Sequence, residues 1–210
     1  MPPRRLQHVL GDCRKTFGEC RVFAVDAYTW SQPGPQKLIS KRQRDWIVET
    51  AFLRAFLALE SFLEEAFILY SLGNRAPKGP APHRYTFPPT KKRAIEWVNL
   101  GRDFSSWSVS SVTERALRFF RSGGPFTNPL SGSRTALDEA RIVRNAIAHE
   151  SSSAQGKFEN LVRQKLGTLP PSLSVGGFLI TTVPGSNPPQ SFLEWYLEKA
   201  ELVATQIVRT

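Results

Sequence analysis

The chain has 210 residues, 40% hydrophobic and 22% charged, with 14 Phe and 5 Trp. That length and apolar content support a globular fold with a sizeable core rather than a disordered chain. The formal charge is +10, and residues 73–125 hold ten Lys or Arg against three acids. Such a basic stretch attracts phosphate backbones and also serves solubility. Two cysteines, Cys13 and Cys20, are too few for a disulfide scaffold, and no further Cys/His cluster completes a zinc site.

The apolar spacing of Leu6, Val9, Leu10, Cys13, Phe17 and Cys20 predicts a first helix over about residues 4–26. Seven residues apart, the two cysteines share a face and are expected in the core. The Met1-Pro2-Pro3-Arg4-Arg5 start precedes no apolar signal region, and no run reaches 18 apolar residues. A soluble, cytoplasmic protein without membrane contact is expected. Ser31 to Pro35 reads as a turn.

From about Lys41 to Leu72 the chain has neither Pro nor Gly. Trp46, Leu53, Phe56, Leu57, Leu63 and Phe67 form a stripe, widened by Phe52, Leu59 and Phe62. This predicts a long, largely enclosed helix, ended by Gly73-Asn74. Glu60 falls within the stripe, where an acid needs a partner such as Arg144 or Arg141. A position on the edge of a wide helix also accounts for it.

Residues 73–90, with five prolines, read as a surface loop. Thr90 can cap a short helix bearing Ile95, Trp97, Val98 and Leu100. At its start Lys91, Lys92 and Arg93 are candidates for nucleic-acid phosphates. Tyr85, Trp97 and Trp107 are of a type that stacks on bases, but core or loop-anchoring roles suit them better. Helices are expected over about 110–120 and, after the Gly123-Gly124-Pro125 break, over about 134–150 with Ser133 as cap. Residues 151–156, small and polar, read as a turn or a frayed link. A helix follows through Phe158, Leu161, Val162 and Leu166. The β-rich run 176–183 reads as a small strand or hairpin. A last amphipathic helix spans about 191–208. The fold class is thus all-α, a single helical domain over 1–210 with a small β-like hairpin near the C-terminus.

The run from Glu139 to Glu150 sets Arg141, Arg144, Asn145 and His149 in an Ala-rich helix. Asn145 and His149, four apart, share a face. Arg144 lies about 100° around, and its long side chain can swing to the same rim. An imidazole can take a proton from a ribose 2′-OH or give one to the leaving 5′-oxygen. A guanidinium can hold the phosphate, and Arg141 can add to its grip on the strand. Asn145 can orient the imidazole, bind the phosphate or serve structure alone. Because RNA supplies its own nucleophile, this chemistry needs no metal or other cofactor. One motif His per chain leaves acid or base missing, and a two-fold homodimer would supply both. Walker, His-Glu-x-x-His and Gly-x-Ser-x-Gly patterns are absent from the sequence.

Arg144-Asn145-Ala146-Ile147-Ala148-His149 resembles the Arg-x4-His signature of the HEPN superfamily. The long helix with Leu59-Glu60-Ser61-Phe62-Leu63-Glu64-Glu65 is similar to one that precedes it in many members. The resemblance extends over residues 41–166 in helix order and is sharp over 137–150. It implies a helical homodimer whose composite cleft holds both motifs. Many such proteins are metal-independent ribonucleases of toxin–antitoxin or antiviral defence systems. Arg144 and His149 would be catalytic, Asn145 catalytic or supporting, and RNA and a cognate antitoxin or defence protein the partners. Other members only bind RNA or protein, which is the alternative expectation. Ser151 stands where one subgroup carries a modifiable Tyr, which argues against that mode of control.

Overall fold

The computed structural model describes residues 5–34, 37–78, 80–99, 107–149 and 151–209. Among them the chain is mostly helical: α1 Leu6–Trp30, α2 Lys41–Ser71, α3 Lys91–Asn99, α4 Val109–Phe119, α5 Thr127–Gly132, α6 Arg134–Ala148, α7 Ser152–Leu166, α8 Val175–Leu179 and α9 Phe192–Arg209. The all-α class holds. Leu100 and Glu150, which the sequence reading put in helices, lie outside the described residues.

The chain packs as two compact units. One comprises Met1–Arg14, Ala58–Thr135 and Ala200–Thr210, and the other Lys15–Leu57 and Ala136–Lys199. In the first, Phe67 is the hub. Its ring lies 5.0–6.2 Å from those of Trp107, Phe119, Phe120 and Phe126. Edge-on contacts of this kind add to the large area each ring removes from water. The buried Tyr70 hydroxyl donates to the carbonyl of Ile207 on α9 at 2.7 Å. In the second, Phe178 stacks on Phe192 at 4.3 Å and meets Phe158 edge-on at 5.6 Å.

Local chemistry explains the element ends. Ser40 and Gln43 form a reciprocal capping box at the start of α2. The Ser40 hydroxyl accepts from the Gln43 amide, and Gln43 Oε1 accepts from that of Ser40. At the other end Gly73 takes φ +90°, and the Asn74 amide bonds back to the Leu69 carbonyl at 3.0 Å. The stripe expected on α2 needs a correction: Trp46 and Leu57 point outward, 56% and 51% exposed, while Val48, Phe52, Ala55, Leu59, Phe62 and Phe67 are buried. Nine large apolar residues exceed what one face holds, so periodicity alone does not select the inward set.

Two further expectations are corrected. Residues 152–156 are not a turn but the first turns of α7, because the Ser151 hydroxyl accepts from the Ala154 amide and starts the helix there. The hairpin expected over 176–183 is not formed. Ser174 caps α8 by accepting from the Gly177 amide. A Cβ at Gly176 would lie 2.4 Å from the Asp45 carbonyl oxygen, so the two glycines serve a tight helix contact rather than a strand. What remains of β pairing in this region is an antiparallel bridge, Thr182 to Ser191, with the Val183 amide bonded to the Gln190 carbonyl at 2.8 Å.

Candidate functional site

The second unit carries α6. Its inner face consists of Ala136, Leu137, Glu139, Ala140 and Val143, all buried. Small alanines allow close approach, and Glu139 is the anomaly among them. Its carboxylate is 6% exposed and takes an ion pair from Lys165 on α7 at 2.7 Å. The Tyr196 hydroxyl on α9 approaches it at 3.5 Å. Burial, followed by the Glu139 charge and its hydrogen bond, drives the Tyr196 phenol well above its ordinary range. Lys165 also lies 5.1 Å over the Trp195 ring. These contacts fix α6 to both neighbouring helices.

One turn further along, the helix becomes half-exposed. Arg144 donates from Nη1 to Asn145 Oδ1 at 3.1 Å. Its guanidinium carbon is 6.0 Å from the Phe56 ring centroid on α2. The bond matters because Arg144 and Asn145 are about 100° apart around the axis. It draws the guanidinium toward the face that Asn145 shares with His149. The Asn145 carbonyl accepts from the His149 amide at 3.0 Å, so helical geometry carries through to His149 although α6 itself ends at Ala148. The imidazole is solvent-exposed at that end, as are Ala148 and Arg141, while Ala146 and Ile147 are half-buried.

Arg144 and Asn145 are thus joined through their side chains, His149 follows exposed one turn on, and Arg141 lies on the exposed flank. The other sequence candidates belong to the first unit. Glu60 is half-buried there, between buried Leu59 and Phe62. Lys91, Lys92 and Arg93 are exposed at the start of α3, which Thr90 caps through the Arg93 amide at 3.3 Å, and Arg93 pairs with Glu96 at 2.8 Å. Tyr85 and Trp97 are exposed, whereas Trp107 is buried under the Arg115 guanidinium at 4.6 Å and serves the core.

The sequence reading missed Phe56, Glu139 and Lys165 as supports of the site. Phe56 was absorbed into the core stripe. Glu139 fell on the apolar face of α6, and that misplaced charge was the available signal. Among the described residues no group of three His, Cys, Asp or Glu stands close enough to hold a metal ion, and no helix is long and apolar enough to cross a membrane. Comparison of the chain with protein-family models, curated proteins and solved structures found no match.

Proposed function

We propose that the chain is a metal-independent endoribonuclease that cleaves RNA by internal transesterification, with two copies of the α6 end meeting in a two-fold dimer. The observation that carries this is the Arg144–Asn145 bond beside an exposed His149. It gathers a fixed cation, an amide and an accessible imidazole on one helix end. An imidazole that exchanges protons with substrate must reach it, and a helix terminus facing solvent gives that access.

In the proposed reaction one His149 removes the 2′-OH proton. The 2′-oxygen attacks the adjacent phosphorus, the bond to the 5′-oxygen breaks, and the second His149 protonates that oxygen. The products are a 2′,3′-cyclic phosphate and a 5′-hydroxyl. Arg144 offsets the charge growing on the non-bridging oxygens, and the Asn145 oxygen holds the guanidinium in place. The resemblance to the HEPN motif supports a role in toxin–antitoxin or antiviral defence, with a cognate antitoxin or defence protein as the partner.

Wild type and His149→Ala, both checked for helix content and dimer mass, are incubated with labelled mixed-sequence RNA in EDTA. Cleavage by wild type leaving cyclic phosphate ends, reduced about 10²-fold or more in His149→Ala, is expected. Intact RNA with both proteins refutes the nuclease and leaves a non-catalytic RNA-binding or protein-interaction module.

A further inference from the structure

The first unit carries a surface that the α6 chemistry does not use. Residues 83–87 run along the end of α4. The Tyr85 amide donates to the Phe119 carbonyl and the Arg121 amide to that of His83, both at 2.9 Å, and Arg84 forms an antiparallel bridge with Phe120. Extended backbone alternates its side chains. Here Arg84, Thr86 and Pro88 face inward, half-buried or buried, while His83, Tyr85 and Phe87 stand in solvent. Tyr85 is 56% and Phe87 65% exposed, and the His83 and Tyr85 rings lie 6.0 Å apart.

The row is held rigidly. Arg84 Nη1 donates to the Ser71 carbonyl at the end of α2 at 2.7 Å, and its guanidinium carbon lies 4.8 Å from the Phe87 ring centroid. Pro80, Pro82, Pro88 and Pro89 flank the segment and restrict its backbone. Three outward rings on a fixed backbone leave apolar surface in water and return nothing to the protein's own core.

The charge around them is one-sided. From Arg75 to Arg93 the sequence has six Lys or Arg and no acid. Lys91, Lys92 and Arg93 fill the first turn of α3, which holds no acid; Arg93 pairs with Glu96 in the next turn at 2.8 Å, and Lys91 and Lys92 stand exposed. A helix N-terminus is already the positive end of the dipole, so the two lysines there add to a site that favours an anion.

We propose that His83, Tyr85 and Phe87, with Lys91 and Lys92, form a binding surface for single-stranded nucleic acid. The acid-free basic stretch selects a polyanion. The exposed rings select one that offers flat aromatic faces, which a duplex hides in its stack and a single strand presents. Every base has such a face, so the surface reads strandedness rather than sequence. It does not depend on cleavage at α6.

The test uses the full chain carrying His149→Ala, in EDTA, and a fluorescein-labelled single-stranded RNA of about 12 nucleotides, within the range one small domain covers. Anisotropy is compared with that of the same strand in a duplex and with the binding of phosphatidylserine-containing vesicles. Preference for the single strand is expected, with Tyr85→Ala and Phe87→Ala each weakening binding on the order of ten-fold. Tyr85→Trp, which keeps a stacking face, should retain it and guards against a merely structural defect. Lys91→Ala should lower the salt dependence by about 0.7 in log–log slope if one phosphate contact is lost. Equal binding of strand and duplex, insensitivity to both ring variants, or preference for vesicles overturns the proposal. A wild type that binds through these rings yet cuts nothing would sink the nuclease alone. Cleavage with KM unchanged in Tyr85→Ala would sink this surface alone.

Discussion

Lys165→Met tests how α6 is held. The substitution keeps an apolar stem against Trp195, where a thioether also packs well, and removes only the ammonium. Glu139 then keeps its charge at 6% exposure with Tyr196, at 3.5 Å, as its remaining partner among those described above. Breaking a fully buried pair costs about 3–5 kcal/mol. The Lys165 side chain is 24% exposed, so water already screens one side of this pair. A loss of about 2–3 kcal/mol follows once that screening is discounted. With a urea m-value of about 2 kcal/mol/M, the unfolding midpoint should fall by about 1–1.5 M. Adding Glu139→Gln removes the stranded charge and should recover at least about 1 kcal/mol, a coupling read directly from the double-mutant cycle. A single variant within about 0.5 kcal/mol of wild type, or a double variant as unstable as the sum of its parts, would show that the pair does not anchor the helix.

Three other outcomes are expected. Burial pushes the Glu49 carboxyl above its ordinary range, Asp45 adds to this, and the Gly176 amide, bonded to it at 2.8 Å, opposes it. The folded protein thus holds this proton to higher pH than the unfolded chain does. Its contribution is complete below the ordinary glutamate pKa of about 4.3 and is lost as pH rises through the folded value. Glu49→Gln, which keeps the acceptor, should therefore gain urea midpoint relative to wild type between pH 4 and 7, and parallel profiles would contradict the assignment. Gly176→Ala puts a methyl group 2.4 Å from the Asp45 carbonyl oxygen, where only backbone can give way. It should cost about 1–3 kcal/mol in the same unfolding assay, as overpacking does. Cys13 is buried and its thiol is pushed up to about 12, chiefly by burial and then by Glu201, while burial raises Cys20 as well. Both should resist alkylation at pH 8 until urea unfolds the chain, with Cys20, which lines a groove beside Phe23 and Trp46, reacting before Cys13. Rapid native-state labelling of Cys13, followed by mass spectrometry, would show the core open there.

The legible parts of the chain are those decided by neighbours in sequence. The span of α2 follows from thirty-odd residues without Pro or Gly, and its end from the left-handed Gly73. That Asn145 and His149 share a face follows from helical spacing, whereas the Arg144 bond to Asn145 does not. The illegible parts are decided by partners far along the chain. The run 176–183 has β-formers enough for a strand, yet α8 forms because Ser174 caps it and Gly176 and Gly177 let it press against Asp45, over a hundred residues earlier. Glu139 gave a visible signal, a charge on an apolar face, without naming Lys165 or Tyr196 as its partners.

The aromatic row shows the same division from the other side. Five prolines between residues 73 and 90 announce a loop, and a loop is where sequence patterns are ordinarily read no further. Yet residues 83–88 keep the period-two alternation of a strand, aromatic outward and anchored inward. The alternation acquires meaning only once the end of α4 supplies the carbonyl of Phe119, and the turn after it the amide of Arg121, as its partners. Without that pinning, three rings in a proline-rich loop would collapse onto the nearest apolar surface. With it, their exposure is a property the backbone enforces, and exposure enforced in this way is what a stacking surface requires.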